Sequence, residues 1–253
     1  LAADFSGGET FTIDKTAPMV TSVTRTTPTT ALTNADVATF TVTFSEAVAD
    51  LTASDLQLSG TSTGGSIDGV SGSGTTWTVG VTTGGDGTLG VTVLTGVPDL
   101  AGNTLVADFT SGEIFTIDKT APTVTSVTRT TPTTALTNAD TVTFTVTFSK
   151  AVADLTLGDL QLSGSSTGGS IESVSGSGTT WSVSVITGGD GTLGLTVLAG
   201  VADLAGNTLT ADFTGGETYT IDKTAPTVTS VVRTGAVAAR TNASTVSFTV
   251  TFS

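Results

Sequence analysis

The hexapeptide Ile13–Pro18, "IDKTAP", recurs at Ile117–Pro122 and again at Ile221–Pro226, each time 104 residues further on. Aligned from the lysine of this joint, Lys15–Asp118 and Lys119–Asp222 match without a gap and differ at 19 of 104 positions. A period of that size is the size of a domain, so each block is expected to fold around its own core and meet its neighbour at the joint. Residues 1–14 match the end of a block, and residues 223–253 match the opening of one as far as "FTVTFS". The expected organisation is 1–14, the C-terminal strand of a preceding repeat; 15–118 and 119–222, two whole repeats; and 223–253, the N-terminal strands of a following repeat. Both ends fall inside a repeat, which suggests a window on a longer array.

Inside a block the apolar residues alternate. In "VATFTVTFS" (Val37–Ser45) Phe40, Val42 and Phe44 share one face, and Thr39, Thr41 and Thr43 the other, the period of a half-buried strand. Similar runs predict seven strands per block: A at Met19–Arg25, B at Val37–Ser45, C around "DLQLS" and D around "SIDGVS". E follows at "TWTVGV", with Trp77, Val79 and Val81 inward, then F at "TLGVTVL" and G along "VADFTSGEIFTID". Gly72–Gly74 and Gly84–Gly87 supply the tight turns between D, E and F. With 31 glycines, many threonines and no long helical stripe, the fold class is all-β: tandem seven-stranded immunoglobulin-like β-sandwiches in a linear array.

The order "DKTAPTVTSV … VTFTVTFSKAV … DLAGNT … YTIDKTAP" resembles the bacterial immunoglobulin-like tandem repeats of large surface adhesins and cell-envelope proteins. The resemblance covers essentially the whole chain. It implies an extracellular, cell-surface, non-enzymatic protein strung in tandem, and it implies calcium at the joints of many members.

Strand parity places the B–C, D–E and F–G loops at the N-terminal pole of each unit, and the A–B, C–D and E–F loops at the C-terminal pole. The B–C loop carries Glu46, Asp50 and Asp55, and the F–G loop carries Asp99 and Asn103. All are expected beside Asp14. Across the next joint Asp118 is expected to meet Asp154, Asp159, Asp203 and Asn207. Carboxylates crowded on one seam repel, and calcium, which accepts six to eight oxygens, would relieve them. The candidate metal ligands are therefore Asp14, Asp50, Asp99, Asn103, Asp118, Asp154, Asp203 and Asn207. The competing reading is that these residues simply shape turns. Glu46 is replaced by Lys150 in the second block, so the two seams need not behave alike. Lys15, Lys119 and Lys223 read as solvated charges. Pro18, Pro122 and Pro226 restrict the joint in any case.

Other chemistry is poorly supplied. There is no histidine and no cysteine, which excludes disulfides, thiolate metal sites and any Ser–His or Cys–His relay. Twenty-two acids against eight bases, net −14, repel phosphate backbones, so nucleic acid is an unsuitable partner. No apolar run reaches membrane-spanning length, so this segment is not expected to insert. "TGGDGTLG" (Thr83–Gly90) occurs once per block and reads as a hairpin turn. Threonine rows read as ordinary solvent faces, and "NAS" (Asn242–Ser244) as an isolated glycosylation sequon. A lysine–asparagine cross-link would need a buried lysine, and Lys15 sits at a pole. Asp108 and Glu113, at odd separation on one strand, would point to opposite faces and could not flank a glycosidic bond.

The resulting expectation is a structural spacer, the stalk of a bacterial surface adhesin or appendage. Its partners would be neighbouring repeats of the same chain. The alternative is a self-assembling subunit of a surface filament, sheath or S-layer, whose partners include other copies of the protein.

Overall fold

A computed structural model describes residues 9–235 and 240–253. Residues 1–8 and 236–239 of the terminal parts lie outside the described residues. The first block comprises β1 (Val20–Thr27), β2 (Leu32–Thr33), β3 (Val37–Val48), β4 (Leu56–Gly60), β5 (Ser66–Thr82), β6 (Gly87–Val93) and β7 (Phe115–Ile117). The second repeats it as β8 (Val124–Thr131), β9 (Leu136–Thr137), β10 (Thr141–Val152), β11 (Leu160–Ser163), β12 (Ser170–Ile186), β13 (Gly191–Val197) and β14 (Tyr219–Ile221). β15 (Val228–Arg233) and β16 (Phe248–Phe252) pair antiparallel as a two-stranded sheet.

Each block is a two-sheet sandwich. One sheet has the order β1-β3-β5 and the other β2-β7-β6-β4, and the second block reproduces both. β5 folds back on itself at Gly72–Gly74, so that the Thr82 hydroxyl donates to Asp68 Oδ2 at 2.6 Å. It thus holds both the D and E strands expected from alternation. Phe40, Val42 and Phe44 from β3 meet Trp77, Val79 and Val81 from β5 and Leu89, Val91 and Val93 from β6 in one core. Phe40 and Phe115 bridge the two sheets edge to face, with centroids 5.2 Å apart. The second block has an equivalent core of its own. Burial of each such side chain contributes roughly 1.5–3 kcal/mol, so each block carries the apolar material for its own stability.

Two strands depart from expectation. G, expected along Val106–Asp118, is reduced to the three residues of β7 and an isolated bridge from Phe109 to Val93. Between them the chain leaves the ladder and crosses to the other sheet. Glu113 N donates to the Val23 carbonyl at 2.9 Å, and its carboxylate accepts from Arg25 N at 2.8 Å. Gly112 permits the approach, since a Cβ there would lie 2.8 Å from Val23 Cβ. The A–B connection, expected as a loop, contains β2, which runs parallel to β7. Residues 9–14, expected as a strand, form no ladder.

Candidate functional site at the joints

The F–G loop builds the site. "PDLAGNT" closes as a tight hairpin in which Pro98 bridges Thr104 and Gly102 takes φ +92°. Asp99, 3% exposed, turns its carboxylate inward. Its Oδ1 accepts from the Ala101 and Asn103 amides at 2.8 Å each, and its Oδ2 accepts from the Asn103 side chain at 2.8 Å. Asn103 Nδ2 also lies 3.3 Å from the Asp14 carbonyl oxygen, tying the loop to the segment that leads into the block. The Asp is thus a turn-former and an anion at the seam at once.

Asp14, Glu46 and Asp99 bring one carboxylate oxygen each within 4.8 Å of one another. Burial, followed by the negative charges of Asp14 and Asp99, pushes Glu46 above the usual carboxylate range. Burial also works to raise Asp99, but the bonds from Asn103, Ala101 and Gly102 outweigh it and hold Asp99 below its ordinary value. The first joint is therefore an all-oxygen, all-negative cluster.

The second joint has the same frame and a different centre. Asp203, 2% exposed, accepts from the Ala205 and Asn207 amides at 2.9 Å each, and Asn207 Nδ2 donates to Asp203 Oδ2 at 3.0 Å and to the Asp118 carbonyl at 2.9 Å. Lys150, where the first block has Glu46, reaches between the acids. Its Nζ lies 2.8 Å from Asp203 Oδ2, bonds Asp118 Oδ2, and donates to the Thr120 carbonyl at 2.7 Å. Burial would raise Asp203, but Lys150 and Asn207 take it down to about 2. Burial would lower Lys150, but Asp118 and Asp203 hold it above its ordinary value. Lys150 is thus ion-paired with both acids of the seam.

Asp50 and Asp154 do not join either cluster. Each caps the next amide, Leu51 N and Leu155 N, at 2.9 and 2.8 Å. Asp55 and Asp159, also expected at the seams, are committed to capping boxes with Thr52 and Thr156. Asp108, weighed as half of an acid pair, accepts from Thr95 N at 2.8 Å. Asp14, Asp99, Asn103, Asp118, Asp203 and Asn207 do converge.

Lys119 and Lys223 differ from the solvated charges expected, Lys223 Nζ pairing with Asp140 at 2.9 Å. Lys119 Nζ donates to the carbonyls of Asn34 and Ala35 at 2.8 and 2.9 Å and pairs with Asp36 at 2.7 Å. Asp86 completes the clamp, accepting from Lys119 N and the Thr120 hydroxyl at 2.5 Å each. The joint tripeptide is thus bonded to the unit it leaves as well as to the one it enters. Asn34 N also donates to the Ala205 carbonyl at 3.2 Å, a direct contact between the A–B loop of one unit and the F–G loop of the next. Strand parity already places both Asp86 and Asn34 at that pole. "GGDG", read only as a turn, was the signal for Asp86.

Among the described residues no helix is long and apolar enough to cross a membrane. Residues 14–114 match the family model of the bacterial Ig-like domain. No curated protein matches the sequence. Among solved structures, one neighbour is the crystal structure of invasin, a bacterial integrin-binding protein, 11% identical, with 87% of this chain aligned and a TM-score of 0.38. The chain spans 42% of that structure's length, and the superposition is too loose to support an argument. Two sheets in the observed order and the family match agree for the first block, and the second differs from it at 19 of 104 positions. Residues 14–114 are a bacterial Ig-like domain, and the block that follows is a second copy of it.

Proposed function

We propose that this chain is an extracellular structural spacer, in which tandem Ig-like domains form the stalk of a bacterial surface adhesin or appendage and carry out no reaction. The observation that carries this reading is the bonded joint. Asn207, Asn34, Lys119 and Lys150 each connect one unit to the next, and every bond added there removes a direction of bending. Strands of seven to twelve residues rise about 3.4 Å per residue. With its loops, each unit would add on the order of 40 Å of reach. Removing one 104-residue unit from the surface protein should bring whatever the stalk carries about 40 Å closer to the envelope, with its binding unchanged. Immunogold distances that do not move on deletion would reject the spacer.

The first joint fits calcium. Oxygens on opposite sides of a shell of about 2.4 Å radius are about 4.8 Å apart, and Asp14, Glu46 and Asp99 lie within that span. Asp99 and Asn103 would hold the frame, Asp14 and Glu46 would close it, and bound calcium would supply the countercharge. A chelator should then lower the melting midpoint followed by Trp77 while leaving that of Trp181 in place. A Trp77 midpoint unmoved by chelator removes the ion from the account.

The second reading is a self-assembling filament, sheath or S-layer subunit, for which the exposed Val37, Leu136 and Ile186 offer apolar contact to other copies. Concentration-dependent polymers would favour it.

A further inference from the structure

We infer that Lys150 is a built-in countercation, which closes the second joint without any added ion and makes it mechanically unlike the first. The inference deepens the spacer reading and rests on its bonded joint. Its basis is a comparison inside one molecule. The two joints share Asp14 with Asp118, Asp99 with Asp203 and Asn103 with Asn207, 104 residues apart, and the loops carrying them form the same hydrogen bonds. One position differs in charge within this frame. Glu46 adds a third carboxylate to the first cluster, whereas Lys150 puts an ammonium between the two acids and a carbonyl.

The consequence is electrostatic. Two carboxylates with one ammonium in contact attract across the seam, and Asp118 belongs to the departing unit while Lys150 and Asp203 belong to the arriving one. The ammonium is tethered by its own chain, so its effective concentration is independent of the medium. Three carboxylates without a cation repel, and their seam stays loose until something neutralises it. A chain with both kinds of joint would therefore have one fixed coupling and one that answers to its surroundings. Placing Glu or Lys at this position would set the stiffness of each joint in an array separately.

The chain has no cysteine, so a single pair of spin labels can be introduced at the exposed Gln57 and Gln161, one in each whole unit. Pulsed dipolar EPR on the full chain reads the distance distribution across the second joint. In chelator the distribution should be narrow and should stay the same when calcium is added. Lys150→Glu should broaden it in chelator, and calcium should narrow it again. Lys150→Met, uncharged and of similar length, should broaden it with or without calcium. Trp181 fluorescence checks that the unit remains folded, and if Lys150→Glu fails to fold, the methionine variant decides. A distribution in Lys150→Met as narrow as in the parent, or one in folded Lys150→Glu that calcium does not narrow, overturns the inference. Failure of the spacer reading looks different: the parent chain itself would give a short distance, because its units would lie side by side.

Discussion

At the residue scale the joints are decided by single carboxylates, and their titration can be followed. Asp203 is held at about 2 in the folded protein, against roughly 3.9 in an unfolded chain. Its folded value is the lower, so its contribution to stability is fully present above about pH 4 and is lost as pH falls toward about 2. Glu46 is displaced the other way, above 4.5. The folded state holds that proton more tightly, so the first unit gains stability as pH falls through the window just above 4.5. Chelated samples melted as pH falls from about 7 toward about 4.5 should show the Trp77 transition rising and the Trp181 transition flat; below about pH 4 the Trp181 transition should fall. A common response of both units would remove the assigned difference between the seams. Glu46 against Lys150 was legible as a charge reversal in the sequence. The clamp of Asp86 on Lys119 and Thr120 was not, because a glycine-flanked aspartate has an adequate local explanation as a turn.

At the scale of elements, alternation identified β3 and the second half of β5 well, because each buries one face there: Phe40, Val42 and Phe44 are 0–3% exposed, and Trp77, Val79 and Val81 are 0–7%. It overextended the last strand, since periodicity cannot show a chain switching sheets. The two-residue β2 was invisible for a related reason, as it is defined by its parallel partner rather than by its own pattern. Turn glycines were read as generic, yet some are fixed by contact. Gly60 ends β4 with φ +107°, and a Cβ there would lie 2.2 Å from the Thr88 carbonyl oxygen. Gly60→Ala should therefore destabilise the first unit by more than about 1 kcal/mol, with urea unfolding followed at Trp77 and the second unit as internal control. Gly64, where a Cβ meets nothing within 4 Å, strains only its backbone at φ +84°. Gly64→Ala should cost less, and equal effects would show that the contact at Gly60 does not matter.

At the scale of the molecule, the 104-residue repeat was legible from residue numbers alone, and strand parity is consistent with the contact of the Asn34 and Ala205 loops. The sequence could not say which of the facing acids would be free at the seam. Asp50 and Asp55 are spent on local amides, while Asp99 accepts local bonds and still faces its neighbour. The central claim is that two sandwiches joined pole to pole act through length and stiffness. Small-angle scattering of the 253-residue chain addresses it most directly. A compact globule of this length has a radius of gyration of about 18 Å. The spacer predicts a clearly larger value, with the cross-section of one sandwich and no dependence on protein concentration; a value near that of the globule would contradict it.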